Sequence, residues 1–166
     1  MRLRGLSLTL LLLSLSSVTC SQTLVLAKDL RVEMPRSALI AHSGDSVIFK
    51  YEDWAINHHI IDPKYFYPSV DLTGWMGSFV KHIFGEKTPK LPDWIKLLAK
   101  DQSKAFDIKT DSTIQFKLNG KSVYATYSNK FEQGHIFLLN DEFINYFNIL
   151  SDKQKYMDFL ELLKGE

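Results

Sequence analysis

Between Thr113 and Tyr127 the chain reads TIQFKLNGKSVYATY, two alternating runs joined by Asn119-Gly120. A two-residue type I′ turn needs positive φ at both central positions, and Asn-Gly meets that need better than almost any other pair. This predicts an antiparallel hairpin whose register puts Phe116 opposite Val123 and Ile114 opposite Ala125, all four on one face. HIFLLN, from His135, then reads as a third strand after a loop over residues 128–134. FINYFNIL, from Phe143, fits either a fourth strand or a short helical segment.

The remaining segments sort by period. LRVEM (Leu30, Val32, Met34) and SVIFKY (Val47, Phe49, Tyr51) alternate, and HSGD at 42–45 marks a turn, which predicts two or three strands in residues 23–51. From Asp71 the spacing changes to three and four. Leu72, Trp75, Met76, Phe79, Val80, Ile83 and Phe84 form one apolar stripe, with Asp71 as the expected cap and Gly85 as the stop. A second helix is predicted from Pro92, with Trp94, Leu97, Leu98 and Ala105 as its inner face. A last helix should open at Ser151-Asp152-Lys153-Gln154, a capping-box pattern, bury Tyr156, Phe159, Leu160 and Leu163, and end at Gly165. The expected class is α+β: N-terminal strands, two central helices, an antiparallel meander of three or four strands, and a C-terminal helix packed on the sheet.

The first twenty residues read as a signal peptide: Arg2 and Arg4 precede an apolar stretch from Leu6 to Val18 that is broken by serines and followed by CSQT. That stretch is short of the roughly 20 apolar residues a spanning helix requires. Two processing outcomes stay open. SSVTC resembles a lipobox, with Ser17 in place of the usual Leu and Thr19 where Gly, Ala or Ser is normal; Cys20 would then be lipidated, as in small bacterial exported lipoproteins. Alternatively an ordinary signal peptidase cuts near Thr19 or Cys20. Lipidated or not, residues 21–166 are expected to form a single domain, within the usual range of about 100–200 residues.

Cys20 is the only cysteine, so the folded part can make no disulfide and depends on its core. A chain of this size buries roughly 68–70% of its unfolded surface, which is enough. Loss of Arg2 and Arg4 leaves 18 basic against 19 acidic residues, spread with mixed sign. Nucleic acid is not an expected partner, because binding it rests on a concentrated basic face. There is no GxGxxG, P-loop, GxSxG or HExxH, and no cofactor is implied.

Two stretches hold the candidate functional residues. WAINHHIIDP, residues 54–63, carries His58 and His59 next to Asp62. In a strand the two histidines would point to opposite sides, and in a helix they would diverge by about 100°. A zinc site or acid–base pair would need one of them joined by Asp62, His82 or His135; Glu52 and Asp53 are further carboxylates within reach in sequence. The second stretch, DPKYFYPSVDLTGW, sets Tyr65, Phe66, Tyr67 and Trp75 among prolines and a glycine. Such a segment suits recognition of a partner, or covers the adjacent helix as a lid. The leading expectation is an exported, non-enzymatic binding or accessory protein of a bacterial cell envelope. Its partner would be an envelope protein or other envelope component, as in an inhibitor or immunity-type pair, and it would touch the membrane only through a lipid on Cys20. The alternative is a small periplasmic hydrolase or metal-dependent enzyme built on His58, His59, Asp62 and His82.

Overall fold

The computed structural model describes residues 22–37, 39–109, 112–140 and 143–165. The signal segment, Cys20 and Ser21 lie outside them. The described elements run β1 (Gln22–Ala27), β2 (Leu30–Met34), β3 (Leu39–Ser43), β4 (Ser46–Lys50), β5 (Ala55–Ile61), α1 (Met76–Ile83), α2 (Asp93–Ala105), β6 (Ile114–Leu118), β7 (Lys121–Ser128), β8 (Gln133–Leu139), β9 (Ile144–Leu150) and α3 (Lys153–Lys164). The class is α+β. The meander is larger than its local pattern announces: β3 to β9 form one antiparallel sheet of seven strands in the order β3-β4-β5-β9-β8-β7-β6, and β1 and β2 pair separately.

The sheet is the middle of three layers. Alternation along β7 sends Val123, Ala125 and Tyr127 to one face, where they meet Ile136, Phe147 and Ile149 under α3 and the β1–β2 hairpin. Tyr124, Phe137, Ile144 and Tyr146 point the other way, into a second core built with Phe79, Val80 and Ile83 of α1 and Ile95 and Ala99 of α2. A strand buried on both faces reads as a continuous apolar run, which is why FINYFNIL left its conformation open. It is β9, and it sits between β5 and β8 near the centre of the sheet.

The Asn119-Gly120 turn has φ of 47° and 80°, and the register pairs Phe116 with Val123 and Ile114 with Ala125. A Cβ at Gly120 would meet nothing within 4 Å, so the demand there is purely conformational. Gly120→Val should therefore cost about 1–3 kcal/mol through backbone strain alone. A denaturant midpoint unchanged from wild type would contradict this.

Three helix details depart from expectation. α1 starts at Met76 rather than just after Asp71, because Gly74 adopts φ of 76° and the Asp71 carboxylate accepts a hydrogen bond from the Thr73 amide, closing a turn before the helix. In α2 the inner face is rotated: Ile95 and Ala99 are buried, Leu98 is half-buried, and Trp94, Leu97 and Ala105 are exposed. Small Ala99 lets the helix approach the core on the Ile95 side, which turns Trp94 and Leu97 outward. At α3 the cap is Asp152, whose Oδ1 accepts from the Lys155 amide at 2.9 Å, one residue later than the capping-box reading. Its inner face is the expected one, Tyr156, Phe159, Leu160 and Leu163, and Gly165 ends it at φ of 81°.

Candidate functional site

His58 and His59 lie on β5, and strand alternation sends them to opposite faces of the sheet. His58 faces the α3 side. It is 7% exposed, its ring rests on Phe147 at 4.8 Å, and its Nε2 bonds the Asn145 side-chain oxygen at 2.9 Å. Burial, the largest influence, holds its pKa below the ordinary value, with Asn145 opposing and His59 adding a little. His82 is on α1, where its Nδ1 is paired with Thr88 Oγ1 at 2.9 Å, in a groove of its own beside Lys96 and Lys100. Asp62 follows β5 and accepts a hydrogen bond from the Lys64 amide. The fold thus brings together His59 and Asp62, and leaves His58 and His82 elsewhere. Among the described residues no three His, Cys, Asp or Glu side chains gather in a metal-binding group.

His59 and Asp62 share an open cleft of about 640 Å³ on the face that carries α1 and α2. Strand β5 supplies His59, the β3–β4 turn supplies Asp45, and the loop after β5 supplies Asp62, Tyr65 and Phe66. The far wall is Gln102 and Phe106 at the end of α2, and the floor includes Tyr146 of β9. α1 and α2 cover only part of this sheet face, so the cleft opens where the helical layer stops short of β4 and β5.

The floor is a connected aromatic and polar assembly. The His59 ring meets Tyr146 edge-on at 5.0 Å. The Tyr146 hydroxyl and His135 Nδ1 share a hydrogen bond of 2.5 Å, and Phe106 lies over the His135 ring at 4.2 Å. Register continues the polar character sideways, since Asn57, Asn148, His135 and Thr126 are successive cross-strand partners on four strands. Burial pushes His135 down to about 4 and the Tyr146 phenol well above its usual range. Burial also lowers His59, against the pull of nearby Asp45. At neutral pH the floor is therefore uncharged: His59 and Tyr146 line the cleft, and His135 lies buried beneath Phe106. Nδ1 of His59 and Oδ1 of Asn57 are buried without a hydrogen-bond partner among the described residues.

The aromatic loop divides its labour. Phe66 and Tyr67 both pack edge-on against Phe79 of α1, at 6.0 and 5.9 Å, and the Tyr67 hydroxyl donates to Gln102. These contacts tie the loop to both helices. Tyr65 projects from it, 80% exposed, at the mouth of the cleft. Trp75 lies away from the cleft and precedes α1 as its N-cap. The loop is thus a lid on the second core and at the same time one wall of the cleft.

Tyr146, Phe106, Gln102 and Asp45 were not singled out by sequence. The signal for Tyr146 was its place on one face of FINYFNIL, usable only once that run is known to be a strand. The others depend on where α2 ends and which turn borders β5. Comparison with known protein families, curated proteins and solved structures finds no match.

Proposed function

We propose that this chain is an exported, non-enzymatic binding or accessory protein of the cell envelope that recognises its partner at the cleft between β5, the aromatic loop and the end of α2. The observation that carries the reading is the cleft: a ready-made concavity with aromatic walls and a few convergent polar groups is the usual form of a recognition site. Tyr65 supports it further, since a tyrosine held out by a pinned loop loses little freedom on binding. The enzyme alternative is less favoured because His58 and His82 stand apart from His59 and Asp62. The partner we propose is an envelope protein or other envelope component, in the manner of an inhibitor or immunity pair.

The test has two arms. Tyr65→Ala should weaken capture of the partner from envelope extracts about 30-fold, the effect of losing a hot-spot tyrosine of ~2 kcal/mol, with no change in melting temperature. Equal capture by the variant and wild type would remove the cleft from the reading. The export arm follows the N-terminus: labelled palmitate incorporated by wild type and not by Cys20→Ser marks a lipid anchor, and retention of the uncleaved chain in the cytoplasm would refute export.

A further inference from the structure

We infer that the cleft takes an organic cation, an ammonium or guanidinium group on a short apolar stem. This deepens the binding reading and rests on it. Two carboxylates, Asp45 and Asp62, stand at its edge, and among the described residues no lysine or arginine lines it. Tyr65, Phe66, Phe106 and Tyr146 line the same space. Aromatic faces carry negative potential and attract a cation, and a carboxylate beside them supplies the opposite charge. An anion would meet repulsion from both. A purely apolar ligand would strip water from the carboxylates with nothing in return.

The floor adds direction. His59 lines the cleft edge-on to Tyr146 at 5.0 Å, so the aromatic surface continues from the mouth to the floor. The stem would lie along Phe66, which lines the same cleft and is only half-buried. A lysine or arginine side chain of a protein partner and a free alkylamine share this chemistry.

The experiment measures affinity by nuclear magnetic resonance titration with n-butylammonium, n-butylguanidinium, neutral n-pentanol and butyrate. N-acetyl-arginine amide represents the group as a protein partner would carry it. The cations should bind at least tenfold tighter than pentanol, butyrate should not bind, and shifts should centre on His59, Phe106 and Tyr146. Asp45→Asn with Asp62→Asn should bring the cations down to the affinity of pentanol. Both residues are exposed, so that variant should keep the wild-type melting temperature. Tighter binding of N-acetyl-arginine amide than of butylguanidinium assigns the group to a protein partner, and the reverse assigns it to a free amine. Pentanol binding as well as the cations, with shifts in the cleft, overturns the cation and leaves the cleft as a binding site. Absence of cation binding with Tyr65→Ala still impairing capture has the same meaning. Failure of both overturns the inference and the reading beneath it.

Discussion

Gly134→Ala should destabilise the domain by about 3 kcal/mol, the upper end of what overpacking a core costs. Gly134 lies in β8, paired with Tyr127 on one side and Ile149 on the other, and the Tyr156 ring of α3 sits directly on it. A Cβ built there would come within 2.1 Å of Tyr156 Cδ2 and 2.4 Å of Cε2. Tyr156 is 1% exposed and is flanked by Tyr127, so the ring cannot swing aside without carrying α3 with it. Glycine within a strand often marks such a close approach. Denaturant titration gives the stability, and a double-mutant cycle assigns the cause. In a Tyr156→Leu background the same Gly134→Ala change should cost much less, the difference being the contact itself. Equal costs in the two backgrounds would show that the ring does not oppose the methyl group.

The second large effect is loss of stability in mild acid. His135 is 3% exposed, and burial pushes it down to about 4 from an ordinary value near 6.5. The unfolded chain therefore binds a proton before the folded one does. The stabilisation is complete above pH ~6.5 and is lost as pH falls from there to about 4, below which this group contributes no further change. At about 1.36 kcal/mol per unit, the loss through His135 is on the order of 3 kcal/mol. His58, lowered for the same reason on the opposite face, acts in the same direction. Unfolding free energies measured from pH 7.5 to 4 should fall, and His135→Gln should flatten most of the slope. A profile as steep in that variant would mean that other groups carry the acid sensitivity.

Patterns confined to one element were legible in advance. The inner face of α3 and the register of β6 with β7 follow from spacing and from one turn, and both are as the sequence implies. Features set by contact between distant segments were not. Leu39 and Ile40 are exposed on the edge strand β3, so LIAHS lacks the alternation that would mark it. The face of α2 runs against its pattern, because Trp94 and Leu97 are large and apolar yet point outward, while small Ala99 turns in. At the site, His59 and Asp62 were visible as candidates. Their neighbours Tyr146 and Phe106 were not, since only the β5–β9 pairing and the length of α2 bring them near.

That pairing sets an order of events in folding. β5 is residues 55–61 and its partner β9 is 144–150, the last strand of the chain. Until β9 arrives, β5 has a free edge, the strands on either side of it are two separate sheets, and Tyr146 is absent from beneath His59. Joining segments so far apart is slow compared with closing a hairpin. The candidate cleft is therefore complete only once β9 has paired with β5. Truncation anywhere before β9 would take Tyr146 from the floor of the cleft even where every residue of the aromatic loop remains, and the proposed recognition would go with it.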